Sequence, residues 1–236
     1  MRFCDRGVVF EGDGYLRLRI QKEFMSDSYS QAELGYPGDR LYSGGEIRTR
    51  KKYRYGRCEV RMKAPHELSG FVQSVFTFHY PKLPVWDEID WELQGRHPDR
   101  AASNMIVGKY AKEWADTRDF GSYEHEVSLP HGSLISDWHV YAFEWTPDFI
   151  KWYIDGHLMR TLTRGALHPR GWIPGDDSPF GGQSSEIMMN FWLPNPEIMA
   201  DFGGCWNEAA FDHGRSVDAT YDWFRYYSLD AYQPKS

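Results

Sequence analysis

No stretch of the chain approaches the roughly 18 consecutive apolar residues of a membrane-spanning helix, so no span is expected. Positive charge is in deficit: 27 Lys and Arg stand against 34 Asp and Glu, a formal net charge of −7. That balance argues against nucleic acid, whose phosphates require a basic face, and against an anionic membrane surface. Cysteine is scarce, and Cys4, Cys58 and Cys205 show no metal-ligand spacing. They can form at most one bridge and are equally compatible with three free thiols. His79, His97, His125 and His139 likewise lack metal-ligand spacing and read as ordinary. Helical periodicity is missing, apart from a turn or two near Asn207 to Ala210. There is no repeat, low-complexity tract or linker. With charges at Arg2, Asp5 and Arg6, no signal peptide is expected within the sequence given.

What is abundant is aromatic and β-forming sequence. Aromatic residues make up 17% of the chain, ten of them Trp, more than a core needs. Surplus Trp and Tyr supply stacking surfaces, and with phosphate partners disfavoured the favoured partner is carbohydrate. Short runs alternate apolar and polar residues between turn signals: Tyr15 to Ile20 after Gly12-Asp13-Gly14, Glu46 to Arg50, and Arg57 to Lys63. Phe71 to Tyr80, His139 to Trp145, Phe149 to Ile154, Glu186 to Trp192 and Ala219 to Tyr227 complete the set. Asp155-Gly156 reads as a type I′ hairpin turn. Many such strands joined by turns predict an antiparallel sandwich, and 236 residues suit one large all-β domain. Glu113 to Ser136 and Leu162 to Ser185 fit no strand pattern and read as long loops, either shaping a site or decorating the surface.

The chemistry concentrates in Trp86-Asp87-Glu88-Ile89-Asp90-Trp91-Glu92. On a strand Glu88, Asp90 and Glu92 share one face, while Ile89, Trp91 and Leu93 turn to the core. Three carboxylates on one face repel each other and resist desolvation, which a purely structural strand rarely tolerates. Calcium is the bland alternative, but it usually draws its ligands from loops. Strand positions i and i+4 lie roughly 13 Å apart at the α-carbons. Two Glu side chains leaning inward can bring that gap toward the roughly 5–5.5 Å of retaining glycosidases.

At these residues the chain resembles glycoside hydrolase family 16, most closely its bacterial licheninase-like β-glucanases. The resemblance rests on Glu88-x-Asp90-x-Glu92 after Trp86, and extends to Tyr141–Pro147, Ile150–Gly156, Ile187–Trp192 and Tyr221–Trp223. It implies a concanavalin-A-like jelly roll of two curved antiparallel sheets with a concave cleft, residues 1–236 forming one catalytic domain. It implies Glu88 as nucleophile, Asp90 as assistant and Glu92 as acid/base, with no cofactor for catalysis. Glu46, Arg48, Phe76, Phe78, Trp86, Asn104, Asn190 and Trp192 correspond to sugar contacts. Read without the resemblance, Phe76, Phe78 and Trp192 could instead be core residues, and Arg48 with Glu46 a surface ion pair. Trp91, Trp145, Trp152 and Trp223 are expected in the core. A structural calcium would sit at Gly14 and Asp222. The implied partner is a polysaccharide met by a monomeric, secreted or periplasmic enzyme.

The chain departs from the pattern in places. Only nine residues precede Phe10-Glu11-Gly12-Asp13-Gly14, where the family carries a further strand. Ile106 stands where licheninases carry an aromatic, which loosens any expectation of mixed-linkage glucan. Tyr80 to Pro84 is unusually apolar, and Trp114, Tyr123, Trp172 and Phe180 in the long loops suggest a longer or branched substrate such as a bacterial exopolysaccharide. Two rivals use the same scaffold: a transglycosylase with the same residues, and a lectin, which would have lost the carboxylates that this chain keeps.

Overall fold

A computed structural model of the protein describes residues 1–25, 40–66, 70–79, 85–109, 121–167, 171–175, 184–194, 204 and 215–229. Its strands are β1 (Arg2–Phe3), β2 (Val8–Phe10), β3 (Leu16–Met25), β4 (Arg40–Arg48), β5 (Gly56–Lys63), β6 (Val72–Phe78) and β7 (Val85–Gln94). Then follow β8 (Arg100–Lys109), β9 (His125–Ser128), β10 (His139–Trp145), β11 (Phe149–Ile154), β12 (His157–Thr163), β13 (Glu186–Trp192) and β14 (Ser216–Tyr227). The described helical pieces are single 3₁₀ turns such as Asp5–Gly7. The expected helical turn near Asn207 and the segment Tyr80 to Pro84 lie outside the described residues.

Twelve strands hydrogen-bond in one path, β12-β11-β10-β5-β14-β3-β4-β13-β6-β7-β8-β9. The path doubles back on itself at β4. Its first half pairs with β3 (Gln21 opposite Ser43) and its second half with β13 (Gly45 opposite Phe191). Gly44 and Gly45 make this corner, and the reason is close packing. A Cβ on Gly45 would stand 2.1 Å from the Gly7 carbonyl oxygen, and one on Gly44 2.7 Å from that of Phe191. No side chain fits there.

The two halves of the path close on a core containing Leu18, Val60, Met62, Ile89, Trp91, Met105, Phe143, Trp152 and Phe191. Ile89, Trp91 and Leu93 are fully buried, as strand alternation requires. Buried indoles need acceptors, and here they bind across the layers. Trp91 Nε1 donates to the Ala142 carbonyl of β10 at 2.9 Å, and Trp152 Nε1 of β11 donates to the Asp90 carbonyl of β7 at 2.9 Å. Tyr221 of β14 donates its hydroxyl to the Asn190 carbonyl at 3.0 Å, also lying 3.2 Å from that of Ser74. The backs of β6, β7 and β13 are thus pinned to the opposite layer.

Five details bear on the sequence reading. Asp155 (φ 51°) and Gly156 (φ 80°) both take positive φ, as a type I′ turn requires. Trp223 is not in the core. A bulge at Asp222, seen as a register shift between Tyr221 and Trp223, reverses the alternation of β14, and Arg225 stacks over the outward indole at 4.1 Å. Trp172 is no sugar platform: it is buried in the core, and its indole N–H donates to the buried Asp87 carboxylate behind β7. Tyr123 is half-buried and packs against the core; Trp114 and Phe180 lie outside the described residues. Cys4 and Cys58 are free thiols, and Cys205 is outside the described set.

The calcium expected at Gly14 and Asp222 does not fit the residues described. The Asp222 carboxylate is held by the Arg61 guanidinium, so a cation there would meet a carboxylate already neutralised and a positive neighbour. Gly14 follows Asp13, whose carboxylate is taken by Arg17 at 3.0 Å. Among the described residues no three His, Cys, Asp or Glu gather as metal ligands.

Candidate active site

Strand pairing assembles the site on the face of β4, β13, β6, β7 and β8 turned away from the core. One row across the strands runs Glu46, Asn190, Ser74, Glu92, each directly opposite the next. The adjacent row runs Arg48, Met188, Phe76, Asp90, Asn104. Glu88 lies opposite Ile106, and Trp192 opposite Val72, which faces Gln94. All eleven residues expected at the catalytic and sugar-binding site therefore share one face. Phe76, Asn104 and Asn190 are nearly covered there, Glu46, Phe78, Trp86 and Trp192 are half-exposed, and Arg48 is exposed.

Side-chain hydrogen bonds fix the rows. Ser74 Oγ donates to Asn190 Oδ1 at 2.8 Å, and Asn190 Nδ2 donates to Glu46 Oε2 at 3.3 Å. Asn104 and Ser122 bond reciprocally at 3.0 and 3.2 Å. Trp86 Nε1 donates to Glu88 Oε2 at 2.6 Å, and the same indole stacks edge-on with Phe78 at 6.1 Å. Gln94 Nε2 donates to Glu92 Oε2 at 2.9 Å and lies 3.5 Å from Glu124 Oε1. Arg96 stands 3.9 Å from Glu124 and donates to Glu126 at 2.8 Å. Gln94, Glu124, Ser74 and Met188 escaped the sequence reading. Gln94 alone carried a usable signal, because it continues the alternation of Glu88, Asp90 and Glu92.

Burial dominates the electrostatics of the triad. It pushes the Glu88 carboxyl up to about 8, against the hydrogen bond from Trp86, which favours the charged form. It pushes Glu92 up to about 7, against the Gln94 hydrogen bond, while the Glu124 charge adds to the rise and Arg96 opposes it. Asp90 is raised furthest by burial and then by the charges of Glu92, Glu88 and Glu124; its Oδ1 finds no hydrogen-bond partner among the described residues. Glu46 is raised by burial too, with Asn190 and Arg48 opposing. All three carboxyls thus hold their protons above the ordinary carboxyl range, as a proton donor requires.

These shifts bear on stability. A carboxyl that holds its proton longer when folded binds more protons than its unfolded counterpart between the ordinary value of 4.5 and the folded values of about 7 to 8. Stability conferred by these groups therefore declines as pH rises through that window. Thermal melts of Glu88→Gln/Glu92→Gln are expected to gain on the wild type steadily from pH 4.5 to 8. Parallel pH curves for the two proteins would show the triad is not strained in this sense.

A nearly closed antiparallel β structure with clustered, proton-retaining carboxyls on one strand fits a glycoside-cleaving type of protein. The family model "Glycosyl hydrolases family 16" matches residues 5–224, and the chain belongs to that family as a glycoside hydrolase. Among its relatives are the β-glucanase of Paenibacillus polymyxa, 32% identical over 87% of this chain and 73% of the relative. That of Paenibacillus macerans is 32% identical over 94% and 74%. Among solved structures, the Bacillus licheniformis β-glucanase aligns at TM-score 0.66 with 29% identity, covering 95% of this chain and 83% of that one. A prokaryotic β-1,3-1,4-glucanase (lichenase) from a mouse hindgut metagenome aligns at 0.68 with 26% identity, covering 95% and 84%.

Proposed function

We propose that the chain is a retaining endo-β-glycosidase cleaving internal β-glucosidic bonds of a β-1,3-1,4-glucan or a related bacterial exopolysaccharide. The observation that carries this reading is the triad itself: Glu88, Asp90 and Glu92 on the face of β7 turned away from the core, raised by burial and bracketed by aromatic and amide side chains. The β-glucanase relatives supply the substrate class.

In the mechanism, Glu92 donates its proton to the glycosidic oxygen as Glu88 attacks the anomeric carbon and forms a glycosyl-enzyme. Glu92, now ionised, takes a proton from water, which releases the sugar with net retention. In the empty site burial holds the proton on Glu88 (about 8) more firmly than on Glu92 (about 7), so these roles require the bound sugar and the Trp86 N–H to favour the Glu88 carboxylate; once Glu88 is charged, repulsion favours protons on Asp90 and Glu92. The Trp86 N–H orients and supports the Glu88 carboxylate. Gln94 holds Glu92 in place beside Glu124. Arg48, Asn190 and Trp192 line the same face for the sugar, and Ile106, opposite Glu88, is placed to influence linkage preference.

Proton NMR of the first minutes of hydrolysis tests the reading. The new reducing end is expected first as the β-anomer, with α-anomer growing in only by mutarotation. An α-anomer appearing first, or no cleavage across a panel of β-1,3, β-1,3-1,4 and acidic exopolysaccharides, overturns it.

A further inference from the structure

The chain is acidic overall, yet Arg48-Thr49-Arg50-Lys51-Lys52-Tyr53-Arg54 holds five cations in seven residues. With 27 Lys and Arg in 236 residues, a window of that length would hold about one by chance. All five side chains are exposed. Such a run is ordinarily a solvated loop, but this one is mounted on the sheet. Thr49 N donates to the Ile187 carbonyl at 3.0 Å, and Tyr53 and Ser185 exchange backbone bonds at 2.8 and 2.9 Å. Tyr53 stacks on Tyr226 at 4.2 Å, and the Tyr226 hydroxyl donates to the Tyr55 carbonyl. A concentration of exposed cations on an otherwise acidic chain attracts polyanions locally.

The strip borders the site. It runs beside the start of β13, where Glu186 lies opposite Phe78. Lys52 Nζ is 3.5 Å from His79 Nε2, and His79 Nδ1 is 3.0 Å from the Ser184 carbonyl. A ring nitrogen facing a carbonyl carries the proton, so Nε2 presents its lone pair to the ammonium. From His79 the next side chains along are Phe78, Trp86 and Glu88, already linked by stacking and a hydrogen bond. Acids against the strip include the buried Glu186, 3.8 Å from Lys52, and Glu46, which acts on Arg48.

We propose that the polysaccharide substrate carries carboxylate groups, and that Arg50, Lys51, Lys52 and Arg54 bind them beside the Phe78–Trp86 end of the site. This rests on the glycan-cleaving reading above and adds a charge class to its substrate. Guanidinium and ammonium groups on an exposed strip favour carboxylates, with an affinity that falls as salt rises.

The test uses binding, so that it does not depend on turnover. Glu88→Gln protein is run through native gels containing either neutral mixed-linkage β-glucan or the same glucan sparsely carboxymethylated. The apparent affinity is expected to be about tenfold higher for the carboxymethylated polymer at low salt and to equalise near 0.5 M NaCl. Adding Arg50→Ser/Lys51→Ser/Lys52→Ser/Arg54→Ser should abolish that preference, whereas Arg50→Lys/Arg54→Lys should keep most of it, with thermal melts confirming folding in both. Equal affinity for the two polymers, or a preference that survives the fourfold Ser variant, overturns the proposal. Wild-type protein that cleaves no glycan while the preference holds would sink the hydrolase reading and leave the strip's assignment standing.

Discussion

Glu88→Gln is expected to lower kcat by on the order of 10⁴ or more, with little change in thermal stability at acidic pH. Gln has the shape of Glu and its amide oxygen can still accept the Trp86 N–H, now at 2.6 Å from Glu88 Oε2, so the site should stay assembled. What disappears is the group that bonds to the anomeric carbon. Alanine variants then separate the two roles. On an aryl β-glycoside whose leaving group needs no protonation, Glu92→Ala can still form the glycosyl-enzyme. Added azide should attack it and release the β-glycosyl azide. In Glu88→Ala, azide occupies the nucleophile's place and should give the α-glycosyl azide by a single inversion. Azide products of swapped configuration would exchange the assignments of Glu88 and Glu92, and full activity in Glu88→Gln would remove Glu88 from the chemistry.

The largest stability loss is expected from Trp91→Ala, at about 3–5 kcal/mol. Trp91 is fully buried, its ring packs edge-on against Tyr141 at 5.8 Å, and its indole bonds the Ala142 carbonyl. Truncation opens a cavity between the layers and also leaves a carbonyl without its donor. For a chain of this size the melting temperature should fall by on the order of 10 °C. Because Trp91 sits between Asp90 and Glu92 on β7, kcat should fall as well, before any unfolding is seen. Trp91→Phe keeps most of the volume and is expected to recover the greater part of the stability. A loss below about 1 kcal/mol in calorimetry of Trp91→Ala would mean that the layers are held together elsewhere.

Strands were legible where bulky apolar residues alternate with charge, as in Gly56–Lys63, or where turn chemistry brackets the run, as at Asp155-Gly156. β8 went unseen as a strand because Ala101-Ala102-Ser103-Asn104 are small or polar, with weak strand preference; pairing with β7 decides their conformation. β9 was hidden inside a polar stretch for the same reason. The triad could be read from period-two alternation alone. Glu124 could not, because it reaches Gln94 across 30 residues of chain and is placed there by pairing of strands rather than by spacing. Asp222 shows the opposite failure. Alternation predicted Trp223 inward, and one inserted residue reversed it.

The corner at Gly44 and Gly45 makes β4 a shared member of both layers, with the Asp5–Gly7 turn pressed against it. Such a strand acts as a keystone: the face carrying the candidate site and the layer behind it cannot move apart without breaking one ladder or the other. The spacing of the two layers at this corner is therefore fixed by backbone contact, whereas the exposed side chains from Arg50 to Arg54 can be exchanged without disturbing the arch.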